Sequence, residues 1–198
     1  MSQEPPDLHA LPDDLPVPED DGAADHLADT AVPSVALPAT GGEQVDLAIA
    51  AAGDGCLVVY VYPRTGVPGR SLPTGWDRIP GARGCTLQSC AFRDSAGELA
   101  ELGATVFGLS AQPLGEQREF AARENLPYPL LNDAEFRLAE ELGLPTFEAN
   151  GIRHYRRLTL IARRGRIAKV FYPVFPPQEN AGDVIAWLRP DGPTEKAG

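Results

Sequence analysis

The chain has 198 residues, 43% of them hydrophobic, and a net charge of −11, which suits one globular domain plus some tail. The surplus charge lies in the first third: residues 1–63 carry twelve Asp or Glu and no Lys or Arg, whereas residues 64–198 carry sixteen acids and seventeen bases. A nearly neutral body behind an acidic leader has no electrostatic footprint for nucleic acid, and the longest apolar run, Cys56 to Tyr62, is too short to span a membrane. No basic region followed by an apolar one marks a secretory signal, so cytoplasmic residence is expected.

Residues 1–30 combine Pro, Asp, Ala and Gly with few large apolar side chains, a composition expected to stay disordered as an acidic tail. The folded domain is expected over 31–190, with a flexible C-terminal tail at 191–198. "SVALP" and "EQVDLAI" read as short extended pieces around a Gly41-Gly42 turn. "CLVVYVYP" is apolar on both faces and reads as the central strand of a covered sheet, ended by Pro63. A glycine- and proline-rich loop of about twenty residues follows, and a structureless loop of that length inside a domain is usually functional. It leads into a helical segment, "CTLQSCAFRDSAGELAELG", uneven around Gly97 and stopped at Gly103. "ATVFGLSA" is a second buried strand, "PLGEQREFAARENL" a helix opened by Pro113, and "YPLLND" a short strand. "AEFRLAEELG" is a helix with Phe136, Leu138, Ala139 and Leu142 on one face. "RLTLIARRGRIAKVFYP" is a hairpin turning at "RRGR", where most of Arg156, Arg157, Arg163, Arg164 and Arg166 read as solvated charges. A last helix, "ENAGDVIAWL", turns Val184, Ile185, Trp187 and Leu188 inward. This alternation predicts an α/β fold with a mixed central sheet flanked by helices.

The three cysteines are Cys56, Cys85 and Cys90, too few, in a chain read as having no secretory signal, for a structural disulfide framework. Metal binding is disfavoured, because Cys56, Cys85, Cys90 and His154 would form a site only by coincidence of folding, and His9 and His26 lie in the leader. Cys85 sits where a loop hands over to a helix, and the N–H groups and positive dipole end found there favour a thiolate. Arg83, two residues away, adds positive charge. Residues five apart on an ideal helix have Cα atoms roughly 8.5 Å apart, beyond the roughly 7 Å a disulfide allows. On one intact helix, Cys85 and Cys90 therefore cannot bond unless the first turn unwinds. The plain alternative is two core cysteines close by chance, which is also the simplest reading of Cys56.

The pieces "YVYP", "GCTLQSCAFRD", "ATVFGLSAQ", "LPYPLLND" and "RLTLIARRGRIAKVF" resemble, in this order, the peroxiredoxins, and most of all the Q-type or bacterioferritin comigratory protein subfamily. The resemblance covers about Val35 to Leu188 and implies a thioredoxin-like fold. It implies Cys85 as the peroxidatic cysteine, oxidised by a peroxide substrate to a sulfenic acid. Cys90 is the implied resolving cysteine, forming an intramolecular disulfide, and thioredoxin or a similar dithiol the implied reductant. No metal, haem or flavin cofactor is implied, and a monomer is expected, with a dimer as the alternative. Arg157 matches the family's arginine near the peroxidatic sulfur, although neighbouring Arg156 leaves the register open by one residue. The family's hydroxyl three residues before the peroxidatic cysteine is Ala82 here, and Arg78 stands in the motif's proline position. Thr65 is the preferred substitute hydroxyl and Thr74 the second choice. A peroxide sensor without turnover and a thiol–disulfide reductase are the competing functions, though the latter prefers a C-x-x-C pair that the chain lacks.

Overall fold

Two short strands, β1 (Ala36–Pro38) and β2 (Gln44–Asp46), pair antiparallel across the Gly41-Gly42 turn. The second extended piece stops early because the Asp46 carboxylate accepts the N–H groups of Ala48 and Ile49. It thereby caps a one-turn helix, α1 (Leu47–Ala51), as short acidic side chains do at helix starts. The computed structural model describes residues 7–189, so the expected tail at 191–198 lies outside the described residues.

The apolar run is β3 (Cys56–Val61), buried at every position. After the long loop come α2 (Cys85–Asp94) and α3 (Ala96–Glu101), separated at Ser95 rather than at Gly97. Then follow β4 (Ala104–Ser110), α4 (Leu114–Arg123), β5 (Leu130–Asn132) and α5 (Arg137–Leu142). The chain next forms a hairpin absent from the sequence reading, β6 (Thr146–Ala149) and β7 (Ile152–Tyr155). Its turn residues Asn150 and Gly151 both have positive φ, 52° and 73°, the geometry that an Asn-Gly pair favours between antiparallel strands. The expected hairpin is β8 (Leu158–Arg163) and β9 (Arg166–Phe171), and α6 (Asn180–Leu188) closes the fold.

The main sheet has the order β5-β4-β3-β8-β9, parallel on one side of β3 and antiparallel on the other. Alternation along β3 divides the core. Leu57, Val59 and Val61 face Leu47, Leu138 and Leu142 of α1 and α5. Val58, Tyr60 and Tyr62 face Cys85, Phe92, Leu99, Phe120 and Val184 of α2, α3, α4 and α6. The mixed sheet between helical layers matches the expected thioredoxin-like architecture. Among the described residues, no helix is long and apolar enough to cross a membrane.

The leader departs from expectation. From Asp7 onward it runs over the body instead of remaining disordered. Leu27 is fully buried and Ala24 nearly so, both in the α1/α5 layer of the core. Burying one leucine contributes about 2 kcal/mol. The backbone of residues 29–32 pairs with the outer edge of β9 through Asp29 N–H to Ile167 O and Ile167 N–H to Thr30 O. Two of its acids bind the body: Asp29 pairs with Arg166 and Asp21 accepts the Tyr172 hydroxyl. Prolines favour docking because their chain has less freedom to lose. Residues 1–6 lie outside the described residues.

Candidate active site

Cys85 is the first residue of α2, and Gly84 before it has φ +93°, with no side chain capping the helix. A Cβ at Gly84 would lie 2.3 Å from Pro177 Cγ and 3.1 Å from Leu11 Cδ2. Both the backbone conformation and the close approach therefore require glycine. This seat fixes the cysteine at the helix N-terminus, where the free N–H groups and dipole favour an anion. The side chain is 3% exposed.

Arg157, immediately before β8, is also 3% exposed, which settles the register against half-buried Arg156. Its Nη2 donates to Cys85 Sγ at 3.1 Å and to the Arg83 carbonyl at 2.9 Å. Nε donates to the Gly81 carbonyl at 3.2 Å, and Nη1 to Gln88 Oε1 at 2.5 Å. Gln88, one turn beyond Cys85, is held through its Nε2 by Asn180 Oδ1 at 2.9 Å, which also accepts the Thr159 hydroxyl at 2.7 Å. Gln88 and Asn180 are buried, so the guanidinium is locked in one orientation by a polar chain linking α2, β8 and α6. Sequence reasoning missed Gln88, Thr159 and Asn180. Helical spacing from Cys85 could have indicated Gln88, but no local signal points to the other two.

Expectations for the arginines divide. Arg157 is buried at the sulfur. Arg163 is also engaged, donating Nε–H to Cys56 Sγ at 2.8 Å and lying 4.7 Å from the Trp187 ring centroid. Trp187 is half-buried rather than fully inward. Arg166 binds the leader. Arg163, Arg164 and Arg166 nevertheless remain exposed and Arg156 half-buried, so the solvated reading holds for most of the cluster and Arg157 is the buried exception.

The Thr65 hydroxyl makes its hydrogen bond to Gln112 and not to the sulfur. It donates to Gln112 Oε1 at 3.0 Å, and the Thr65 backbone N–H donates to the same oxygen at 2.9 Å, which ties the loop to the β4–α4 turn. Thr74 faces a separate cleft. The cavity against Cys85 is lined by its neighbours Arg64 and Gly66, by Leu8, Leu72, Trp76, Ala82, Arg83 and Gly84, and by Thr86, the one hydroxyl-bearing residue in its wall.

Cys90 lies on the same intact helix, so helix geometry leaves the two Cα atoms roughly 8.5 Å apart. All three cysteines are free and buried. Burial pushes the Cys90 thiol up to about 11, with the Glu124 carboxylate adding to the rise against an opposing pull from Arg93. Its Sγ lies 3.6 Å from Glu124 Oε2. The C-terminal half of α2 is firmly seated: Phe92 stacks on Tyr60 at 4.6 Å, and Ser89 takes hydrogen bonds from Tyr60 and Tyr128. Among the described residues, His9, Cys90 and Glu124 bring ligand-type atoms within 4.8 Å of one another. Arg123 and Arg93 reach Glu124 at 3.2 and 4.0 Å, and their charge opposes a cation there.

The Redoxin family model matches residues 27–185. Chloroplastic peroxiredoxin Q of Oryza sativa subsp. japonica is 29% identical over 133 residues, covering 67% of this chain and 54% of its own length. The chain thus spans about half the length of the plant relatives it matches. A protein of Mycobacterium tuberculosis (strain CDC 1551 / Oshkosh) named as a peroxiredoxin is 30% identical over 137 residues, 69% of this chain and 79% of that one. The crystal structure of peroxidoxin BcpB from Mycobacterium tuberculosis aligns with a TM-score of 0.66 at 28% identity, covering 82% of this chain and 96% of that one. Xanthomonas campestris peroxiredoxin Q shares the fold, with a TM-score of 0.62 at 21% identity over 88% and 96% of the two chains.

Proposed function

Because the chain belongs to the Redoxin family, and within it to the Q-type peroxiredoxins, we propose that it is a thiol-dependent peroxidase acting on hydrogen peroxide or organic hydroperoxides. The observation that carries the reading is the Arg157 Nη2 to Cys85 Sγ contact of 3.1 Å at the start of α2. A guanidinium donor and a helix N-terminus meet at one sulfur, which sets a fixed hydrogen bond and a positive dipole end at the atom proposed to react. The Cys85 thiolate attacks one peroxide oxygen, the O–O bond breaks, and the departing oxygen takes a proton to leave as water or alcohol. Cys85 is left as a sulfenic acid. The second Arg157 function is electrostatic: its fixed donors are already aimed at the region where charge develops on the oxygens.

Cys90 then attacks the sulfenic sulfur, forming the disulfide and releasing water. The first turn of α2 opens for this step, because the bonded cysteines cannot remain at helical spacing. A dithiol protein of the thioredoxin type returns both thiols to the reduced state. A monomer working in the reducing cytoplasm completes the reading, which fits three free thiols.

Folded α2 keeps the Cys90 proton up to about pH 11, whereas an opened helix loses it near the ordinary value of 9.0. Between these values the folded form binds more protons, so its advantage over the opened form falls as pH rises. The rate of disulfide formation after oxidation is therefore expected to increase across that window. Glu124→Gln, which removes a negative charge beside the thiol and so lowers the folded-form value only, should leave the start of the rise in place, end it at a lower pH and make it smaller. A rapid-quench pH series on both proteins checks this.

The function itself is tested by stopped-flow mixing of the reduced chain with one equivalent of hydrogen peroxide, followed by peptide mapping. Rapid loss of the Cys85 thiol and appearance of a Cys85–Cys90 disulfide are expected. Absence of fast thiol loss, or oxidation confined to Cys56, refutes the reading.

A further inference from the structure

The cavity at Cys85 measures about 20 Å³, room for one water-sized molecule. Beside it lies a cleft of about 700 Å³, within the size range of small-molecule sites. Arg64, Gly66 and Leu72 line both spaces, whereas Leu8 of the leader lines only the small one. Leu8 rests directly over Gly66, where a Cβ would come within 2.5 Å of Leu8 Cδ2. The missing side chain at Gly66 thus supplies the seat for Leu8 at the boundary between the cleft and the sulfur.

The seat is held by the site itself. Arg83 Nη2 donates to the carbonyls of Asp7 and Ala10, at 3.0 and 3.4 Å, one on each side of Leu8. The Arg83 side chain is 7% exposed and lies 3.5 Å from Asp77. Its own carbonyl accepts from Arg157, so the residue that grips the leader also belongs to the Arg157 network. Farther along, Leu11 packs against Gly84.

We propose that Leu8 is a specificity-determining residue: seated over Gly66, it closes the passage from the large cleft to Cys85, so that hydrogen peroxide enters and hydroperoxides with bulky carbon substituents are turned away. The inference rests on the peroxidase reading and adds a substrate preference to it. Its chemistry is steric, since an apolar side chain rejects an oversized substituent by occupying its space. Removing that side chain joins the cavity to the cleft, which can then receive the substituent.

The test measures second-order rate constants for Cys85 oxidation by hydrogen peroxide and by cumene hydroperoxide in the full chain, Leu8→Ala and Leu8→Met. The parent is expected to favour hydrogen peroxide. Leu8→Ala should raise the ratio of the cumene hydroperoxide constant to the hydrogen peroxide constant about tenfold or more, the scale on which an apolar pocket discriminates by size. Leu8→Met, close in volume, should keep the parental ratio. An unchanged ratio in Leu8→Ala, or a parent that reacts equally with both peroxides, overturns the inference. Hydrogen peroxide serves as the internal standard: failure of every variant to react with it refutes the peroxidase reading itself, and the inference with it.

Discussion

Cys85→Ser is expected to abolish fast peroxide consumption, whereas Cys90→Ser keeps the first oxidation and accumulates a sulfenic acid that dimedone labels. The two cysteines share one helix but not one environment. Cys85 receives an Arg157 hydrogen bond at an uncapped helix start. Cys90 is held as a neutral thiol beside a carboxylate, a setting that suppresses nucleophilicity until the helix opens. Serine at 85 cannot replace the thiolate, because a hydroxyl at neutral pH is a far weaker nucleophile. Serine at 90 removes the other sulfur on α2, the one proposed to resolve the sulfenic acid, and is expected to leave the first step intact. The measurement is stopped-flow peroxide consumption combined with intact-mass detection of the labelled acid. If Cys85→Ser consumed peroxide as fast as the parent, the assignment of the reacting sulfur would be wrong.

Arg157→Met is expected to slow Cys85 oxidation about 10²–10³-fold, the scale for removing one preorganised donor at a developing charge. Methionine fills much of the space but donates no hydrogen bond. It also leaves the Gly81 and Arg83 carbonyls and Gln88 Oε1 without the partner they now have, at a cost of about 1–3 kcal/mol for each buried group left unpaired. Thermal unfolding must therefore be measured beside the rate. Arg157→Lys restores the charge but not the forked geometry, and it should recover only part of the lost rate. A folded Arg157→Met protein with the parental rate constant would show that the guanidinium contributes nothing to the chemistry.

The parts of this molecule that could be read in the sequence are those written locally. The unbroken apolar run of β3 and its position in the sheet centre follow from burial on both faces. The two cysteines and the helix that begins at Cys85 lie within one short segment. Arg157 was legible only to within one residue, because two adjacent arginines at a strand entrance do not say which turns inward; burial of Arg157 decides it. A long irregular loop has no period from which to infer direction, so nothing around Thr65 signals that Gln112, forty-seven positions away, accepts its hydroxyl. The link from Gln88 to Asn180 spans ninety-two positions and leaves no mark on either neighbourhood. The leader was misjudged from composition because a few well-placed contacts, Leu27 in the core and the residues paired with β9, can hold a chain whose average is polar.

The wall at Cys85 has a spectroscopic consequence. Trp76 lies in that wall, 2% exposed, with its ring 5.0 Å from His154 and nearly perpendicular to it. The only other tryptophan, Trp187, sits against Arg163 at the opposite end of β8 from Arg157. One indole therefore shares the wall of the Cys85 cavity while the other stands apart from it. Emission from the unlabelled chain is therefore expected to respond to chemistry at Cys85 through Trp76, giving an optical readout of the proposed reaction without a label.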